Sequence, residues 1–145
     1  MDATAILHDA RIVPVVVIDD VDTAIPLAET LVSCGLDAAA HEMPFIPGAI
    51  TASEMIRLLE RGYTLQKFFP AELAGGSAML RAIGSPIPDV RFFPTGGISA
   101  ELADDYLALG NVACVGGSWI APGPLLGARD FNAIARLATE AARAV

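Results

Sequence analysis

Leu65-Gln-Lys-Phe-Phe-Pro-Ala-Glu72 decides how the chain is read, because it places a lysine in the middle of an apolar strand. Burying an ammonium is costly unless it is paired or neutral. Desolvation lowers the pKa of a lysine, and the neutral amine is the form that attacks a ketone. Lys67 and Phe69 share parity and so point to the same face of an extended segment. Two readings of Lys67 follow: a Schiff-base nucleophile, or a lysine whose stem snorkels to the sheet edge.

Working outward, apolar runs alternate with helix-period segments. The spacing predicts strands at residues 12–18, 44–47, 63–69, 90–93 and 112–115. After the first strand, Asp19 and Asp20 offer a helix N-cap. Val21, Ala24, Ile25, Ala28, Leu31 and Val32 then recur at helical spacing up to Gly35, with Pro26 perturbing the first turns. Residues 37–42 read as a helical stub. Thr51-Ala-Ser-Glu54 is a capping box, with Met55, Ile56 and Leu59 behind it and Gly62 as the stop. Further helices are expected at 75–83, at 100–109 capped by Ser99, and from about Asp130 to 144. Strand followed by helix, five times over, is the pattern of βα units around a parallel sheet. One domain, residues 1–145, accommodates all of it.

The bulk numbers agree with that class. The chain is 54% hydrophobic but only 6% aromatic, as suits parallel strands buried on both faces by aliphatic side chains. Its net charge of −8 argues against nucleic acid and anionic membranes as partners. A bound phosphate would have to be held by local backbone donors. Two cysteines, Cys34 and Cys114, define no disulfide framework, and with no signal peptide read at the N-terminus a reducing cytoplasm is expected. His8 and His41 stand in unrelated contexts, so no metal site is expected. No cofactor is expected either.

Two other strand ends stand out. Pro94-Thr-Gly-Gly97 follows a strand and precedes a helix, where glycines let backbone amides approach an anion. An ordinary βα turn also favours glycine. Gly116-Gly-Ser118 repeats the pattern and adds a hydroxyl. In (β/α)₈ barrels the loops after the last two strands commonly build a phosphate site. Glu72 either orients the site or caps the next helix. His41 and Glu42 read as solvated, and Trp119 as packing the outer layer.

Taken with Val13-Pro-Val-Val-Val17, Phe45-Ile-Pro-Gly48, Arg91-Phe-Phe-Pro-Thr-Gly-Gly-Ile98 and Gly116-Gly-Ser-Trp119, the Lys67 run resembles the 2-keto-3-deoxy-6-phosphogluconate (KDPG) and 4-hydroxy-2-oxoglutarate (KHG) aldolases. The resemblance implies a metal-free class I aldolase on a TIM barrel, usually a trimer. It would cleave a phosphorylated keto-acid to pyruvate and glyceraldehyde 3-phosphate. Lys67 matches the imine-forming lysine. Phe69 would line the pocket, while Thr95, Gly96, Gly97, Gly117 and Ser118 would hold the carboxylate and phosphate ends of the substrate.

A full barrel needs roughly 250 residues, with about 200 near the lower limit. Aligned by motif, the five strands match the family's first, fifth, sixth, seventh and eighth. The second to fourth βα units have no counterpart, and the seam falls near Leu36-Asp37. The absent part includes the strand that carries the family's acid/base glutamate and a substrate-binding arginine. The expected product is a partial barrel whose two open edges favour pairing with another copy, which a light-scattering dilution series would detect. The alternatives are a remnant that binds phosphate-bearing ligands without turnover, or another sugar-phosphate barrel enzyme that does not use Lys67.

Overall fold

The computed structural model describes residues 12–16, 23–34 and 46–143. In chain order the elements are β1 (Ile12–Pro14), α1 (Ala24–Ser33), β2 (Gly48–Ala49), α2 (Ala52–Leu59), β3 (Leu65–Phe68), α3 (Gly76–Gly84), β4 (Arg91–Pro94), α4 (Ala100–Leu107), β5 (Val115–Gly117), α5 (Gly123–Gly127) and α6 (Phe131–Arg143). The seam at Leu36-Asp37, the stub at 37–42, the Asp19–Asp20 cap and the histidines His8 and His41 lie outside the described residues.

Among the described residues all strand pairs are parallel. β2, β3 and β4 form one ladder and β1 pairs with β5. Bridges from Phe92 to Val112 and from Thr95 to Gly116 join the two. The order across the sheet is therefore β2-β3-β4-β5-β1, with first and last strands adjacent, as in a barrel from which an arc of staves has been removed. Among the described residues this is a partial (β/α) barrel of five strands, the expected fold class.

The two faces of the sheet follow from strand parity. Phe68, Phe92 and Val115 point outward and are fully buried under the helices, against Met55, Leu80, Tyr106 and Ile134. The rings of Phe68 and Phe92 meet edge to face, with centroids 6.4 Å apart. Leu65, Phe93 and Cys114 point inward and form a second, small cluster with Val13, Ile46 and Ala113 packed against it.

Local chemistry explains most element boundaries. Thr51 and Glu54 form the expected capping box, and Gly62 takes a positive φ of 88° where α2 ends. Glu54 lies below the usual carboxylate range, because its oxygens accept from the Thr51 and Ile50 backbone amides and then from the Thr51 hydroxyl. Gln66 ties α2 to β3, its amide nitrogen donating to the Met55 and Tyr63 carbonyls at 3.0 Å each. Pro26 sits in the first turn of α1, where a missing N–H costs little. The Asp130 carboxylate accepts from the Ala133 amide at 2.9 Å and opens α6.

Four expectations are corrected. β2 lies at Gly48–Ala49, because these are the residues in register with Lys67 and Phe68; of the expected strand 44–47, Ile46 and Pro47 precede it, and residues 44 and 45 lie outside the described residues. β5 lies at Val115–Gly117, so the glycine pair read as a closing loop is strand, paired with Val13 and Pro14. Ser99 stands at the N-cap of α4, but its hydroxyl makes no capping bond. It bonds the Glu101 side chain instead and is the main cause that lowers the Glu101 pKa. Helix α5, with its two glycines and a proline, was not foreseen.

Candidate active site at the strand ends

Lys67 is the third residue of β3 and stands in register with Gly48 on one side and Phe93 on the other. Paired residues in a parallel ladder share a face, so Lys67 belongs to the inner face, beside the Leu65–Phe93–Cys114 cluster. It is half-buried. Burial pushes the Cys114 thiol up to about 12, with Arg91 opposing the shift, so the group stays neutral and forms part of an apolar floor. Above that floor the Lys67 amine lies 5.1 Å from the centre of the Phe69 ring, a cation–π distance when the amine is charged.

Phe69 is half-exposed at the end of β3, and its peptide bond to Pro70 is cis. The loop that follows is laced to the end of β4. Thr95 donates from its amide to the Phe68 carbonyl (3.0 Å), Ala71 donates to the Thr95 carbonyl (2.8 Å), and Glu72 donates to the Gly96 carbonyl (3.1 Å). Gly96 and Gly97 turn the chain with φ values of 100° and 82°, which side chains adopt only with strain. Space imposes the same demand. A Cβ on Gly96 would stand 3.0 Å from Phe69 ring carbons, and one on Gly97 would stand 2.9 Å from Cβ and Cγ of Glu72.

Thr95 is 2% exposed, and its hydroxyl has no hydrogen-bond partner. It lies two residues beyond Phe93, hence one layer above Lys67 on the inner face, and bridges to Gly116. A Cβ on Gly116 would fall within 2.6 Å of the Thr95 methyl and 2.8 Å of the Phe93 ring, so this glycine makes room for both. A buried hydroxyl without a partner is costly, and here it stands where a ligand above Lys67 could supply one.

The ends of β3, β4 and β5 thus bring together Lys67, Phe69, Thr95, Gly96 and Gly97. The Gly116-Gly-Ser segment joins them less uniformly. Gly117 shares parity with Val115, and the Trp119 ring covers the outward position that a Gly117 side chain would take. The Gly117 carbonyl accepts from the Val15 amide at 3.0 Å. Ser118 follows it and is exposed. Trp119 packs against the outer core, as expected from sequence.

Glu72 is not a free carboxylate beside Lys67, and its side chain does not cap α3, whose N-cap is Gly75. It accepts a hydrogen bond from the Tyr106 hydroxyl. Burial first, and then the bond to Glu72, raise the Tyr106 pKa, so the phenol keeps its proton. Sequence reasoning missed Tyr106. The helical spacing of Leu102, Ala103 and Tyr106 announces burial but not a hydroxyl partner 34 positions away. Another cleft, of about 440 Å³, lies at the opposite end of β4, lined in part by Arg81, Ser85, Arg91 and Asn111, and none of the residues gathered around Lys67 lines it.

Residues 37–137 match the aldolase family described as KDPG and KHG aldolase. The chain belongs to that family. It is 46% identical over 104 residues to the 2-dehydro-3-deoxy-phosphogluconate aldolase of Pseudomonas aeruginosa, across 72% of this chain and 47% of that protein. Against the KHG/KDPG aldolase of Escherichia coli it is 48% identical over 104 residues, across 72% and 49%. The chain therefore spans about half the length of the curated relatives it matches. Among solved structures, the KDPG aldolase of Legionella pneumophila, captured with pyruvate as a covalent carbinolamine, superposes with a TM-score of 0.90 at 29% identity, covering 97% of this chain and 98% of that one. The enzyme of Zymomonas mobilis ATCC 29191 superposes with a TM-score of 0.87 at 28% identity, covering 97% and 96%. Among the described residues no helix is long and apolar enough to cross a membrane.

Proposed function

We propose that the chain carries class I aldolase chemistry, with Lys67 as the nucleophile. Its amine adds to the C2 ketone of a phosphorylated 2-keto-3-deoxy acid and expels water to give an iminium. The iminium accepts the electron pair as the C3–C4 bond breaks, the C4 hydroxyl losing its proton as glyceraldehyde 3-phosphate departs. The resulting enamine takes a proton at C3, and hydrolysis returns pyruvate and the free amine. The same sequence would cleave 4-hydroxy-2-oxoglutarate to pyruvate and glyoxylate. Phe69 lines the pocket, Thr95 supplies its unpartnered hydroxyl, and Gly96, Gly97, Gly117 and Ser118 hold the anionic ends.

The observation that carries this reading is the half-buried Lys67 on the inner face, with the unpartnered Thr95 hydroxyl one layer above it. It is supported by membership of the aldolase family. Water takes the proton-transfer role of the family's second-strand glutamate, which we assign no counterpart. Losing a positioned acid/base typically slows a reaction by about 10²–10⁴-fold. The active form is a homo-oligomer that covers the outer edges of β1 and β2. The test is pyruvate release from the phosphorylated keto-acid by the purified chain, with Lys67→Met as control. Slow release that vanishes in the variant is the expected result, and release that survives the substitution would remove Lys67 from the mechanism.

A second reading is favoured by the bond that ties Glu72 to Tyr106: a remnant that binds phosphate-bearing ligands without turnover. It predicts phosphate affinity and no pyruvate release.

A further inference from the structure

Glu72 touches three parts of the mouth at once. Its amide donates to the Gly96 carbonyl. Its Cβ and Cγ occupy the space that Gly97 leaves open. Its carboxylate accepts from Tyr106, and the pair abuts Gly76 at the start of α3, within 3.4–3.5 Å of where a Cβ would stand. The two ends of this connection differ in rigidity. Tyr106 is 1% exposed, on α4 and inside the outer core. Glu72 is exposed, in an irregular loop between β3 and α3. An exposed glutamate ordinarily samples several rotamers, and the bond to a fixed phenol selects one. In that rotamer the Glu72 stem backs the glycine turn, which has no side chain of its own to hold it.

We propose that Tyr106 is a positioning residue for the Gly96–Gly97 turn, acting through Glu72. The helix layer thereby sets where the backbone donors of the turn stand relative to Lys67, although Tyr106 touches neither. This role concerns the placing of a substrate's anionic end and so rests on the aldolase reading given above, but the latch itself can be measured without turnover.

Tyr106→Phe keeps the packed ring and removes only the hydroxyl. Glu72→Ala removes both the acceptor and the stem, whereas Glu72→Gln keeps a carbonyl that can still accept from the phenol. A hydrogen bond of this kind supports about a tenfold change in a local opening equilibrium. The amides of residues 71 and 72, held by the Thr95 and Gly96 carbonyls, are therefore expected to lose about tenfold of their protection from hydrogen exchange in Tyr106→Phe and Glu72→Ala and to regain it in Glu72→Gln, with exchange across β3 unchanged. In the same series KM for the phosphorylated substrate rises about tenfold, while pyruvate adduct formation at Lys67 stays within about twofold. Unchanged protection at residues 71 and 72 in Tyr106→Phe overturns the proposal, as does a loss of protection spread evenly over β3, β4 and β5. A wild-type chain that forms no adduct and releases no pyruvate refutes the aldolase reading alone, and the exchange measurement still decides the latch.

Discussion

The outer and inner faces of the sheet are filled to different degrees. Outside, Phe68, Phe92 and Val115 lie beneath helices in a core that runs from Ile12 to Ala141. Inside, only Leu65, Phe93 and Cys114 form a buried cluster among the described residues. In a closed barrel the inner face is filled by layers of side chains from all the strands. With the five described strands that filling is thin, and it stops at the level of Phe93 and Lys67, one layer below Thr95. Stability therefore resides outside and the proposed chemistry inside, which lets the proposed catalytic lysine be assessed separately from the fold.

Removing one phenylalanine from each face of β4 separates the two faces most strongly. Phe92→Ala deletes a fully buried ring in edge-to-face contact with Phe68. It should lower the free energy of unfolding by about 3–5 kcal/mol. Phe93→Ala deletes a ring from the small inner cluster and should cost about 2 kcal/mol, because fewer neighbours lose contacts and the cost depends on how far a site can relax. Urea denaturation of both variants measures the difference, and equal losses would mean that the inner face carries as much of the fold as the outer.

A smaller effect is expected at the mouth. Gly97→Ala forces a side chain into a positive-φ turn and against the Glu72 stem. A stability loss of about 1–2 kcal/mol follows from the backbone strain, together with weaker phosphate binding in a titration. Loss of stability with phosphate affinity intact would separate the turn from the ligand site.

The smallest effect belongs to the capping box, remote from both faces. Thr51→Ala removes the hydroxyl that accepts from the Glu54 amide and donates to the Glu54 carboxylate, and should cost about 1 kcal/mol at neutral pH. Because folding lowers the Glu54 pKa, the box contributes stability that is fully present above the unfolded pKa and is lost as pH falls through the folded one. Denaturation midpoints measured from neutral to acid pH should fall less steeply in the variant than in wild type.

How much of this was legible in the sequence depends on whether a property is local. The alternation of strands and helices, the Thr51–Glu54 box, the Gly62 stop and the Asp130 start are all written within a few consecutive residues, and all are found. Gly116 and Gly117 misled because glycine signals a turn when read alone. In the sheet they are strand, since Phe93 and Thr95 of the neighbouring chain segment occupy the space beside Gly116. Lys67 was legible as an anomaly, a cation within an apolar run. The Glu72–Tyr106 bond and the unpartnered Thr95 hydroxyl were not, because each depends on residues brought together from different βα units.

The proposed function requires Lys67 to form an imine at the mouth of the partial barrel. The sequence offers a clean test, because Lys67 is its only lysine. Incubation with pyruvate and borohydride, followed by peptide mass spectrometry, should place one reduced pyruvate on the Lys67 peptide and none there in Lys67→Met. Labelling confined to the N-terminal amine, with the Lys67 peptide unmodified, would contradict the account.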